Sequence, residues 1–599
     1  MEMHYRKSDN KLLFSNFKDA SLLNVEKPQN YIPLYSTFFK LNETNCNNIN
    51  LDQKELLIEL TEKITENKFI ANIKNTNENN IQKKPIFFKL SPLLDPIKFL
   101  IGKYGTNTNL LTLPTLDIKE CHPKFSDHNN ASYIDSFFTY LTSMLLHEYK
   151  FTHGIDFYGS YLAIKKDYKY NIFEDIEYLQ DSEYFKSNNG KDVNNITFSL
   201  DNEYISDIIG RGSKFNKEKI TLDNSSENGD CTLTLSDISD LQSLDSIFSK
   251  NEDEAGNINL LYEGKNTSEN SVKTSSTCSS RSSDTNSDSS RESDTESDDD
   301  EVDDSNSDDE SGTSGGSSSG SSSGGSDSSS GSSTDSHDEE LYINISQFPI
   351  QLIALEQCDH TLDSFLTKND LSDEEWDSLV LQVIMTLITY QKVFDLTHND
   401  LHTNNIMYNK TDKKYLYYQL NGKKYRVPTY GKIYKIIDFG RAIYKFRGKV
   451  ICSDSFHPDG DAATQYNCLP YLNEKKPVLM PNPSFDLCRL GCSLFDFIVD
   501  ELEENKEIEE LKDIDNINST IKKIVLDWCK DDKNRNIIYK KNGDERYPEF
   551  KLYKMIARTV HNHIPTKVLE NPYFNKYIIQ FVSKKDHIQN IDEYPIFTN

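Results

Sequence analysis

No stretch of about 18 consecutive apolar residues occurs in this 599-residue chain, which argues against a helical membrane span. The opening, MEMHYRKSDNKLLFSNF, has no apolar run of the kind a secretion signal needs, so a soluble intracellular protein is expected. The ten cysteines form no C-x-x-C pair and no His-flanked ligand spacing. That argues against a zinc ribbon or a disulfide framework and predicts reduced thiols. Proline (18) and glycine (24) are sparse, and residues 60–84 contain no glycine. Basic residues are outnumbered 66 to 96, a net charge of −30, which argues against a nucleic-acid-binding surface.

The acidity is concentrated in one place. Residues 281–340 hold 24 Ser, 7 Gly and 19 Asp or Glu against 2 Arg, a net of −17, and the rest of the chain carries an unremarkable −13. So little apolar area cannot offset the entropy of ordering, and disorder is predicted from about 225 to 340, beginning as early as about 181. Within this tract Ser293, Ser297, Ser305 and Ser307 stand among acidic neighbours as candidate phosphoacceptors. The flanks read as folded. KKPIFFKLSP (84–93), GIDFYGSYLAI (154–164) and FPIQLIALEQ (348–357) have strand character, and residues 132–149 carry apolar residues at helical spacing. Ser372 and Glu375 form a capping-box pattern opening a helix whose apolar face runs from Trp376 to Phe394.

That helix leads into THNDLHTNNIM (397–407), followed by KIIDFGRA (435–442). His398, Asp400 and Asn405 spell H-x-D-L-x-x-x-N, and Asp438, Phe439 and Gly440 spell D-F-G. With SFDLCRLGCSL (484–494), these motifs resemble the protein-kinase superfamily. The resemblance implies an α+β, bilobal kinase-like fold with a long disordered acidic insertion in its small lobe. It implies that Asp400 is the catalytic base, and that Asn405 and Asp438 hold Mg²⁺ on ATP. Asp486 would brace the backbone of the catalytic loop, with His398 as further structural support, and His402 would either donate to the transferring phosphate or make a structural hydrogen bond in the loop. Upstream, Lys89 is the expected phosphate-binding lysine, because an isolated Lys in an apolar strand needs a reason. Its acidic partner is Asp135 in preference to Glu148. Glu356 to Asp359, including Cys358, would form the hinge that takes adenine.

The pattern also departs from the family. No glycine-rich loop precedes Lys89, Asn399 stands where an arginine is usual, and no A-P-E closes the segment after D-F-G. Residues 415–428 read as an added hairpin around Asn421-Gly422. Together with composition typical of AT-rich coding, this resembles the divergent serine/threonine protein kinases of giant DNA viruses, which would place the protein in host cytoplasm or virion. The expected layout is an N-terminal extension and start of the small lobe (1–80), small lobe (81–170), insertion (171–341), fifth strand and hinge (342–360) and helical large lobe (361–599). Expected partners are ATP and a protein substrate, with a basic partner or another kinase at the insertion, and no membrane or nucleic acid. Two other readings remain at this stage: a pseudokinase or interaction protein, favoured by the missing glycines, and a small-molecule kinase.

Overall fold

The computed structural model describes residues 4–105, 109–116, 121–200, 341–504, 517–540 and 543–598. All of them belong to one unit, formed by residues 1–200 and 278–599; a second unit, residues 201–277, lies outside the described residues. The acidic tract and its four candidate phosphoacceptor serines also lie outside them.

Alternating apolar and polar residues make the first half a mixed but sheet-dominated region. We label the strands β1 (Val25–Gln29), β2 (Glu55–Lys63), β3 (Lys68–Asn75), β4 (Ile81–Pro92), β5 (Phe157–Asn171), β6 (Ile196–Leu200) and β7 (Tyr342–Glu356). They pair antiparallel in the order β1-β5-β7-β4-β3-β2, with β6 on the outer half of β7. The central strands β5 and β7 are continuously apolar over much of their length because both faces are covered. Helix α1 (Ala131–Tyr149), capped by the Asn130 side chain on Ser132 N at 3.1 Å, buries its first 14 residues after Ala131.

The glycine-free stretch is the β2–β3 hairpin and the β3–β4 turn. Its tip, residues 64–67, closes through Ile64 N and Thr65 N onto the Lys68 carbonyl, and none of the four has positive φ, so the turn requires no glycine. Residues 171–200, assigned from the sequence to the insertion with disorder from as early as 181, instead form two short helices (Ile176–Gln180 and Glu183–Asn188) and strand β6. The reason is apolar: Phe198 stacks on Phe185 and meets Phe99 edge-on, which anchors the segment to the sheet.

In the second half, α2 (Asp373–Phe394) starts with the expected reciprocal Ser372–Glu375 capping box. It is followed by β8 (Ile406–Lys410), the hairpin β9 (Tyr415–Leu420) and β10 (Lys423–Pro428), and β11 (Lys432–Ile436), which pairs with β8. Asn421 (φ 50°) and Gly422 (φ 71°) make the tight two-residue hairpin turn that their sequence predicts. Helices α3 (Phe485–Glu504), α4 (Thr520–Asp527) and α5 (Phe550–Thr559) follow. The region expected to be helical nonetheless carries its own sheet: β9 and β10 are flanked by Ile588–Asn590 and Ile578–Ile579. The fold is therefore mixed α+β throughout. No helix among the described residues is long and apolar enough to cross a membrane.

His153 ties the hairpin to the segment between α1 and β5. Its ring is wholly buried, with Nδ1 2.6 Å from the Tyr434 carbonyl and Nε2 2.6 Å from the Tyr418 hydroxyl. A carbonyl can only accept, so Nδ1 carries the proton and Nε2 accepts from tyrosine. Burial lowers the imidazole pKa to about 4, against the opposing pull of the Tyr434 carbonyl. An unfolded histidine titrates near 6.5 and binds more protons than the folded one between these values, so stability is lost as pH falls through that window. Unfolding in urea should show about 2 kcal/mol less stability at pH 5 than at pH 7 from this group. The same comparison in His153→Gln should lack that component.

Candidate functional site

Strand β4 places Lys89 opposite Ile353 of β7, facing α1. Its ammonium lies 2.7 Å from Asp135 Oδ2 and 2.7 Å from Asp438 Oδ1, so one cation joins a strand, a helix and the segment after β11. Asp135 is 3% exposed, and its other oxygen accepts from Phe439 N at 2.8 Å. Glu148, the alternative acid, pairs at 3.7 Å with Lys54 instead. Burial opposes charge on all three groups. The two carboxylates nonetheless hold Lys89 above its ordinary value, and Lys89 holds Asp438 at about 2. Asp135 is driven upward by its own burial and by the neighbouring Asp438. Asp438 has φ 63° and keeps 44% of its side chain exposed, so an ionised carboxylate is open to a ligand.

Phe439 turns the other way, into the core. Its ring, fully buried, lies 4.5 Å from Phe138 of α1 and 5.3 Å from His398 between ring centroids. Gly440 N is 3.4 Å from Asp438 Oδ1.

The loop between α2 and β8 is held from beneath. Asp486, wholly buried at the start of α3, accepts from His398 N and Asn399 N, each at 2.9 Å. His398 Nε2 donates to the Ile437 carbonyl at 2.9 Å, linking the loop to the D-F-G segment. Asn399 has φ 66° and is buried; its amide donates to the carbonyls of Thr397 and Arg441, and its oxygen accepts from Tyr466 at 2.7 Å. Asn399 is thus a structural knot.

Asp400 Oδ1 accepts from the Tyr553 hydroxyl at 2.8 Å, and Oδ2 lies 4.0 Å from Arg441 Nε. Tyr553 in turn accepts from Arg489 Nε at 2.9 Å. Burial raises the Asp400 pKa, but Arg441, His402, Arg489 and the Tyr553 hydrogen bond together bring it below the ordinary carboxylate value. Asn405 Nδ2 donates to the Asp400 carbonyl at 2.8 Å and contacts His402 Nε2 at 3.1 Å. Its side-chain oxygen has no hydrogen bond among the described residues. His402 is lowered by burial, which favours the neutral ring that can accept from Asn405.

At the end of β7 the sequence expectation meets competition. The Glu356 amide is taken by the Asp156 carbonyl at 3.0 Å, and its carboxylate binds Lys435, Asp156 N at 2.8 Å and Asn409 at 2.7 Å. Asp359 N is taken by the Tyr408 carbonyl at 3.0 Å, while Cys358 is buried beside them. Sequence reasoning missed Tyr553, Arg441 and Arg489. The last carried a signal of the same kind as Lys89: a lone cation among apolar helix residues that must have a partner.

No family model matches the chain. The serine/threonine-protein kinase haspin of Bos taurus is 32% identical over 117 residues, 20% of this chain and 14% of that protein. Haspin of Mus musculus is 30% identical over 117 residues, with the same coverage. The chain thus spans 14% of the length of the curated relatives it matches, and the similarity is a kinase-like relationship confined to a fifth of its own length.

Proposed function

We propose that the chain is an ATP-dependent protein kinase of bilobal arrangement, acting on Ser or Thr. The observation that carries this reading is the Lys89–Asp135–Asp438 cluster, set beside a loop that Asp486 clamps and that presents Asp400. The partial similarity to haspin supports it. The donor set fits Mg-ATP: Asp438 supplies an exposed, ionised carboxylate, Asn405 an uncommitted amide oxygen, and Lys89 a charge for the phosphates. Bound there, Mg-ATP supplies the phosphoryl group and neutralises its developing charge.

This chain's own residues then divide the work. Asp135 orients Lys89, and its hold on Phe439 N fixes the D-F-G backbone. Asp400 is ionised at neutral pH and accepts the proton of the attacking hydroxyl. Asn405 ties Asp400 to the magnesium-binding side of the site, and neutral His402 holds Asn405 rather than contacting phosphate. With the Glu356 and Asp359 amides already bonded, the Gln357 and Cys358 backbone groups are left as hinge contacts for adenine.

One observation favours a second reading. The β2–β3 turn brings the Thr65 hydroxyl, not a glycine backbone, to its tip, where it accepts from Lys68 N at 3.1 Å, as a pseudokinase that had given up phosphate contacts could tolerate. Thermal unfolding with and without Mg-ATP separates the two. The kinase reading expects saturating Mg-ATP to stabilise the wild-type chain by about 3 kcal/mol at 100 times Kd, and Asp438→Asn to lose most of that shift. A wild-type chain that Mg-ATP does not stabilise overturns it.

A further inference from the structure

Helix α5 does two things at once. Its buried face delivers Tyr553 to Asp400, and its outer positions carry Lys551, Lys554 and Arg558 beside Met555 and Thr559; the helix contains no acidic residue. Lys554 and Arg558 are four residues apart on one face, a like-charge pairing that weakens a helix, and Lys554 also lies over the Phe550 ring at 5.4 Å. Arg558 reaches across to the Thr464 carbonyl at 3.4 Å, in the segment between D-F-G and α3. Two residues on, Tyr466 holds Asn399, the neighbour of Asp400. From that same segment exposed Lys476 adds its charge to Lys554, whose ammonium is destabilised by burial, Arg558 and Lys476. Cations therefore sit on the two elements whose tyrosines hold Asp400 and its neighbour Asn399.

We infer that this surface, formed by Lys554, Arg558 and Lys476 on the two elements that also hold the Asp400 loop, binds an acidic peptide and selects acceptor hydroxyls flanked by Asp or Glu. Its role as an acceptor site rests on the kinase reading; the binding surface does not. Charge complementarity commits it to an acidic polypeptide, since the cations are spread over a helix and the neighbouring segment, with Arg558 and Lys476 exposed, and not gathered in a phosphate-sized pocket.

The test uses the full chain and a fluorescent peptide, SDTESDDDE, with a control of equal length in which Lys replaces each acidic residue. At about 0.05 M salt the acidic peptide should bind the wild type. The double variant Lys554→Glu with Arg558→Glu should lose at least about tenfold in affinity, and Lys554→Gln with Arg558→Gln should fall between. Stabilisation by Mg-ATP, read on the same samples, should be unchanged, which shows that the variants are folded. Acidic-peptide affinity that survives charge reversal, or a wild type that binds only the lysine peptide, overturns the inference. Binding that depends on the patch, with no phosphate transferred to the peptide by the wild type, upholds the surface and counts against the kinase reading instead.

Discussion

Asp400→Asn should reduce phosphoryl transfer by about 10³-fold while leaving stabilisation by Mg-ATP in place. Asparagine keeps the shape and can still accept from Tyr553 through its oxygen, but it cannot take the acceptor's proton. The cost to stability should be small, about 1–3 kcal/mol, because Arg441 keeps Asp461 as a partner and Arg489 keeps Tyr553. The pH dependence has a definite sign. A carboxylate lowered by folding contributes stability above its unfolded pKa and loses it as pH falls through the folded value. Acid unfolding of the variant should therefore lack this contribution. Steady-state kinetics at pH 7, with urea denaturation at pH 7 and at a pH below 3.8, checks both parts.

Lys89→Met should be the most destabilising of the substitutions considered, and it should abolish stabilisation by Mg-ATP. Without the ammonium, buried Asp135 faces Asp438 across the space that one cation had filled. Removing one partner of a buried ionic cluster costs about 3–5 kcal/mol, and exposure of Asp438 argues for the lower end. The variant can recover part of the loss by binding a proton, because Asp135 is already driven upward by burial and by Asp438. Its deficit against the wild type should therefore shrink as pH falls from 7 toward 5. In the wild type, Asp438, held at about 2, contributes stability above its ordinary value of 3.8 that is lost only as pH falls through about 2. Urea midpoints at pH 7 and pH 5 give the comparison; a deficit that grows on acidification contradicts the assigned cluster.

The elements legible in the sequence were those set by local chemistry. The Ser372–Glu375 cap, the Asn421-Gly422 turn and the strand around Lys89 depend on residues near one another, so spacing alone locates them. The likeness to kinase motifs pointed to the pairing of Asp486 with the loop at His398, 88 positions away. What spacing could not locate was contact between distant segments without a shared motif. Tyr553 meets Asp400 across 153 positions, and Glu356 meets Lys435 across 79; nothing local to either residue names its partner. Residues 181–200 were placed in the insertion, with disorder beginning as early as about 181, and the contribution of Phe185 and Phe198 appears only when the sheet gives them a surface to cover. The missing glycines bear on phosphate contact and not on the turn itself, since a β2–β3 turn without positive φ forms without them.

The most direct measurement is transfer of labelled γ-phosphate from Mg-ATP to the chain itself and to acidic and basic peptides, with Asp400→Asn run alongside and labelled residues mapped by mass spectrometry. The account predicts label on Ser or Thr in the wild type that disappears in the variant. Equal labelling of the two proteins, or none in a wild type that Mg-ATP stabilises, would contradict the role given to Asp400.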